Sequence, residues 1–224
     1  MSDRDHPTDT GVIDLAARSV TRSSPQLARI ESYWRDVRGT RLAPSRAEID
    51  PRGLSGVLSN AFVLERIAPG LARFRISGSH LTDLMGLDVR GMPLSTIFTP
   101  DARQTLSDAL VGAFDDPSII RFRLAAETGF GRPELVGHMV LLPLRSDLGE
   151  VSRILGGIDM QGTLGRAPRR LLIEEQSREG LTGVGATAPV NVQSFDERLP
   201  APKPREDTTR PSHPHLTLVI DNAE

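Results

Sequence analysis

Five histidines, no cysteine and 29 carboxylates bound the chemistry that this 224-residue chain could carry. His80 and Asp83 lie three residues apart, so on a helix they share a face and could act as an acid–base pair. Ser79 adjoins them, but a serine next to a histidine in sequence does not meet it as nucleophile and base. No nucleophile-elbow glycines surround it either, so Ser79 reads as a helix cap. His138 stands alone, and His213-Pro214-His215 offers only two ligands, too few for a metal site. Asp88, between Gly86 and Gly91, reads as a loop stabiliser. Without cysteine there is no disulfide, thiolate nucleophile, cysteine-ligated metal or flavin–cysteine adduct. No GxGxxG follows a strand and no GxxxxGK[ST] is present, so a glycine-built phosphate cradle is not expected. No residue is assigned a catalytic role and no metal site is assigned.

Charge narrows the partners. Lys+Arg 27 against Asp+Glu 29 gives a net charge of -2, and the imbalance lies beyond Gln176, where acids outnumber bases seven to five. A balanced body argues against bulk capture of nucleic acid or anionic lipid. Arg166, Arg169 and Arg170 remain a local basic patch, read first as a solvated face. The N-terminal residues carry acids where a signal peptide needs bases, and no window approaches the ~18 apolar residues of a membrane span. The expectation is a cytoplasmic protein with no membrane partner.

The elements that must position these groups follow from periodicity. Residues 1–24 are polar and are expected to be disordered. Leu27, Ile30, Trp34 and Val37 recur on one helical face, with Ser24-Pro25 before them and Gly39 after, which predicts a helix over 25–38. Residues 60–66 and 71–78 flank Ala68-Pro69-Gly70 and predict a hairpin, with Phe74 and Ile76 on one face and Arg73 and Arg75 on the other. Short helical spacings broken by glycine follow over 79–99, then a clearer helix over 101–114. Strands are predicted at 118–126, 133–143 and 151–160. The last two are apolar at both parities, so both faces of the sheet must be covered. The helix around Trp34 or a second subunit could supply the outer cover. A short helix is predicted within 163–179, around Pro168–Ser177. Residues 180–214, rich in Gly, Pro and Thr, are expected to be a disordered linker before the apolar segment His215-Leu216-Thr217-Leu218-Val219-Ile220, within a closing stretch of 215–224. The fold class is α+β.

In order along the chain, several local motifs carry a resemblance. They are Tyr33-Trp34-Arg35 with Gly39 and Leu42, Ile49-Asp50-Pro51, and Phe74-Arg75-Ile76-Ser77-Gly78-Ser79-His80-Leu81. Gly86, Asp88, Gly91, Leu141-Leu142-Pro143-Leu144 and Ile154-Leu155-Gly156 complete the run. Together, over about 26–162, they resemble the single-domain PAS-like proteins of alphaproteobacteria, the PAS_5 group, many of which also close on a tail like HLTLVI. The resemblance implies a PAS-like five-stranded antiparallel sheet with short helices on one face. It also implies a sensory or interaction module, usually without catalysis.

PAS relatives hold ligands between the inner sheet face and the short helices. Here that space would be lined by Phe62, Phe74, Ile76, Leu84, Phe98, Ile120, Phe122, Leu124 and Met139, which would suit a small apolar ligand or simply fill a core. Haem-binding relatives use a histidine on the long helix, and residues 101–114 contain none, leaving His80 and His138 as the alternatives. No cofactor is assigned. Partner contact falls to two surfaces. One is the outer face, Val136, Val140, Leu142 and Leu155, with the helix stripe Leu27, Ile30 and Trp34; it is covered within the chain or shared across a dimer. The other is Leu216, Leu218 and Ile220, able to add as a strand to a sheet edge. The expected function is a non-enzymatic bacterial regulatory protein that binds a small ligand or other signalling proteins. The alternatives are a haem- or flavin-bearing sensor and a small enzyme using His80 and Asp83.

Overall fold

The computed structural model describes residues 24–183. Helix α1 (Pro25–Arg38) begins where Ser24 accepts a hydrogen bond from Leu27 N–H at 3.3 Å and ends at Gly39, whose φ of 56° only glycine adopts readily. Strands β1 (Ala61–Ala68) and β2 (Leu71–Ser77) form the first hairpin. Helix α2 (Ser79–Met85), short 3₁₀ turns and helix α3 (Arg103–Asp115) follow. The chain then runs through β3 (Ser118–Ala126), β4 (Leu135–Arg145), β5 (Val151–Gly162) and β6 (Leu171–Gly180). All the pairings are antiparallel, in the order β2-β1-β5-β4-β3-β6.

The sheet therefore has six strands rather than five, and the helix predicted within 163–179 is corrected. Residues 171–180 are extended along β3, with Arg121 opposite Ser177 and Arg123 opposite Glu175. The run LLIEEQSREG is rich in helix formers, but its partner decides its state. Leu171 and Ile173 pack inward, and the glutamates meet the outward arginines of β3.

Two apolar layers sandwich the sheet. On the inner face α2, the 3₁₀ turns and α3 cover Leu64, Phe74, Ile120, Phe122, Leu141 and Ile158. On the outer face α1 and the segment through Ile49, Leu54 and Val57 cover Val63, Ile119, Val140, Leu142, Leu144 and Leu155. The outer cover is thus intramolecular: Leu27, Ile30, Trp34, Val140, Leu142 and Leu155 are no more than 2% exposed. Trp34 Nε1 donates to Pro143 O at 3.0 Å, pinning α1 to β4. Gly156 and Gly157 let both layers approach β5. A Cβ on Gly156 would lie 2.0 Å from the Phe62 ring, and one on Gly157 would lie 2.8 Å from both Leu27 Cδ2 and Ile30 Cδ1.

Candidate functional site: a groove at the Ile76 bulge

Along β2 the side chains do not alternate as the sequence suggests. Val63 of β1 opposes Ile76, but Leu64 opposes Phe74, so Arg75 is an extra residue in a β-bulge. Two side chains on either side of such a residue no longer share a face. Phe74 is fully buried in the inner core, whereas Ile76 turns to the outer side and is 49% exposed. The expectation that Ile76 lines an inner pocket is corrected by this bulge. Beyond it, Phe74 N–H donates to Met92 O at 2.9 Å and Phe74 O accepts from Gly91 N–H at 2.8 Å, which covers this stretch of the edge strand.

Ile76 borders three adjoining crevices. The first, ≈ 280 Å³, lies between β1–β2 and the segment that follows α1, and it is walled by Ile49, Leu54, Leu58, Val63 and Leu155. Leu58 is 47% exposed there. The second, ≈ 310 Å³, shares Val63 and Ile76 but is rimmed by Arg46, Arg75, Arg153 and Asp147. The third, ≈ 440 Å³, runs past Ser79 and Thr82 to Asp88 and Arg90. An apolar channel thus opens onto a charged rim, the arrangement that fixes an amphipathic ligand by its greasy and its polar parts together.

The rim is organised by Glu65. Arg75 Nε lies 2.5 Å from Glu65 Oε2, Arg73 Nη2 lies 2.8 Å from the same oxygen, and Arg153 Nη1 lies 2.6 Å from Oε1. The hydrogen bond from Arg75, with Arg73 and Arg153 beside it, overcomes the cost of burial and lowers the Glu65 carboxyl to about 2. One carboxylate among three guanidiniums leaves the rim positive. A second network ties α1 to the sheet: Arg35 and Arg121 each contact both Glu31 and Glu179, with Arg121 Nη2 2.5 Å from Glu31 Oε1 and 2.9 Å from Glu179 Oε2. Burial opposes the charge on Glu179, but hydrogen bonds from Arg35 and Arg121 outweigh it and hold its carboxyl below the ordinary value.

The other sequence-derived residues fall as follows. Phe62, Phe74, Leu84, Phe98, Ile120, Phe122, Leu124 and Met139 are all in the inner core at 0–1% exposure, with Phe62 and Phe74 edge-to-face at 5.5 Å. Phe62 also reaches the wall of the apolar crevice. Val136, at 38% exposure, lies on the outer face beyond the helix cover. Leu216, Leu218 and Ile220 lie outside the described residues, as do His213 and His215.

His80 and Asp83 are not brought together. His80 Nε2 accepts the Met160 N–H at 3.1 Å, so the imidazole closes a backbone position, while Asp83 is exposed on α2. Ser79 is the first helical residue rather than the cap, which is Gly78 and makes no side-chain bond. His138 lies on the outer face opposite Asp159 and Arg123; burial first, then Arg123, pushes its imidazole below the ordinary value. His80 Nε2 is thus engaged with the backbone of β5, and His138 lies on the sheet face away from the inner core. Among the described residues no cluster of three metal-binding side chains occurs, and no helix is long and apolar enough to cross a membrane. Asp88 does stabilise its loop, accepting from Arg90 N–H at 3.0 Å and pairing with the Arg90 guanidinium.

Arg169 leaves the basic patch altogether. It is 1% exposed and its guanidinium donates to the carbonyls of Leu164, Glu127 and Pro133. This staple fixes the approach to β6 and takes the arginine away from any nucleic acid.

The residues that shape the groove, Arg46, Leu58, Glu65, Arg75 and Arg153, do not stand out in the sequence. Glu65 becomes conspicuous only once β1 is paired with Arg73 on one side and Arg153 on the other.

An antiparallel sheet with short helices gathered between its second and third strands, and a further helix across its other face, defines an α+β domain. The chain belongs to the PAS domain family: the PAS_5 family model matches residues 22–159, more than half of its length. PAS domains are sensory and regulatory signalling domains, generally without catalysis, and they commonly mediate protein interactions and dimerisation. No curated protein matches the chain.

Proposed function

We propose that this protein is a non-enzymatic regulatory module of bacterial signalling that works by docking another protein in the groove at Ile76. The observation that carries the reading is the bulge at Arg75, which turns one large apolar side chain out of the core. That side chain lands beside the half-exposed Leu58, at the mouth of an apolar crevice with an arginine rim. Exposed apolar contact flanked by guanidiniums suits a protein interface, where Arg is among the side chains that carry most of the affinity. The eight described pocket candidates other than Ile76 support the same choice, since they pack together as core.

Native mass spectrometry of the protein purified from its own host tests this reading. The expected result is a co-purifying protein that is lost from both Ile76→Glu and Leu58→Glu, with the melting temperature of each variant near that of the parent. Retention of the partner by both variants would overturn it. So would a stoichiometric small molecule in place of a protein, or a Soret or flavin band in the absorption spectrum of the freshly purified chain.

A further inference from the structure

We infer that the partner segment taken by the Ile76 groove is an acidic amphipathic helix, apolar where it meets Ile76 and Leu58 and carrying Asp or Glu one turn further along the same face. The inference rests on the groove being the docking surface proposed above and names the chemistry of its occupant.

The sheet register lays out the surface. Val63 of β1 stands opposite Ile76 of β2 on one side and Leu155 of β5 on the other. Two residues along β1, Glu65 stands opposite Arg73 and Arg153. Residues two apart on a strand share a face, so an apolar row and a charged row lie side by side on the outer face of the sheet, about 7 Å apart. One helical turn rises about 5.4 Å, so successive turns of one helix face can meet both rows.

The place is closed to an added strand. Strand β1 lies between β2 and β5 and has no edge of its own, and at Phe74 the edge of β2 is bonded to Gly91 and Met92. The occupant must therefore make its contacts with side chains, as a helix laid in a groove does.

Charge selects the acid. Arg46, Arg73, Arg75 and Arg153 stand against Glu65 and Asp147 around the second crevice, while Asp88 and Arg90 along the third pair with each other. Both Glu65 oxygens are already taken, Oε2 by Arg73 and Arg75 and Oε1 by Arg153. Arg46 lines both the apolar and the charged crevice. Its guanidinium donates to Ile49 O at 3.4 Å and forms no ion pair among the described residues. A carboxylate on the occupant supplies Arg46 with that counter-charge, whereas a lysine or arginine there meets a rim of its own sign.

The test uses two synthetic helical peptides of about 18 residues, roughly five turns. They share leucines at i, i+3, i+4 and i+7 and differ only in the residues one turn beyond, glutamate in one and lysine in the other. Each is titrated into the full-length protein while the methyl signals of Ile76 and Leu58 are followed. The glutamate peptide should shift both signals with a Kd roughly tenfold or more below that of the lysine peptide, and raised salt should weaken it. Arg46→Glu should abolish the preference and Arg46→Lys should keep it, both at the parent's melting temperature.

No shift with either peptide, equal affinities, or a preference for lysine would overturn the inference. So would shifts produced by vesicles of anionic lipid and by neither peptide. Its failure is distinguishable from that of the proposed function. A co-purifying partner lost from Ile76→Glu and Leu58→Glu, with no preference for the glutamate peptide, rejects only the acidic chemistry. A partner retained by both of those variants rejects the docking reading itself, whichever peptide binds.

Discussion

A single carboxylate holding three arginines is an unusual distribution of charge, and Glu65 shows how it is sustained. Its side chain is only 16% exposed, so its charge would be costly if it stood alone, yet Arg73, Arg75 and Arg153 surround it at 2.5–2.8 Å. The dependence on pH follows. The folded-state carboxyl lies at about 2, below the ordinary glutamate value, so its contribution to stability is fully present above the unfolded pKa. That contribution is lost as the pH falls through the window between the two values. Glu65→Gln removes the counter-charge while keeping the shape, and at pH 7 it should cost about 1–3 kcal/mol. In urea unfolding at a series of pH values, the gap between parent and variant should shrink from pH 5 towards pH 2. A gap that stays constant over that range would show that the ion cluster contributes nothing through its charge. Arg75 holds the same carboxylate from the bulged position, so the residue that displaces Ile76 also builds the groove's rim.

Strand β5 explains how one sheet carries two cores. Gly156 admits the Phe62 ring on one face, and Gly157 admits Leu27 and Ile30 on the other. Gly157→Val would suit a strand by propensity but would drive a side chain into α1, a form of overpacking that costs about 1–3 kcal/mol. Trp34 is the only tryptophan and is fully buried under α1, so its fluorescence reports directly on that helix. A red-shifted emission with lowered stability is the expected outcome for Gly157→Val, and an unshifted emission would show that α1 adjusts without loosening. What the sequence made legible and what it hid divide at this scale. Helix α1 and β3 were readable because one buried face imposes a clean period of 3.6 or 2, and the first hairpin because Ala68-Pro69-Gly70 marks its turn. The double coverage of β4 and β5 was readable from apolar residues at both parities. Strand β6 was hidden because its charges answer Arg121 and Arg123, partners more than fifty residues away. The exposure of Ile76 was hidden because a bulge breaks parity with no change in composition. The groove inherits both difficulties, since its rim is a cross-strand arrangement and its mouth is a register defect.

At the scale of the whole molecule, α1 closes the domain and also leads into the groove. The chain runs from Arg38 into the segment whose Arg46, Ile49 and Leu54 form one groove wall, so the position of α1 on the sheet sets that wall. Three restraints hold the helix: the stripe of Leu27, Ile30 and Trp34, the bond from Trp34 to Pro143 O, and the Glu31–Arg35–Arg121–Glu179 network. A ligand or partner that favours one arrangement of the groove wall would bias the helix in turn, by no more than its difference in affinity for the two arrangements. The face under α1 is already filled by its own chain, which separates two effects of removing its largest side chain. Trp34→Ala should cost about 3–5 kcal/mol by leaving a cavity and an unpaired Pro143 carbonyl. That should lower the melting temperature by on the order of 10 °C for a chain of this size. The subunit mass in sedimentation equilibrium should stay that of the parent protein, because a contact between copies would have to use other residues. A variant that kept its melting temperature but changed its subunit mass would show that this helix belongs between subunits rather than within one.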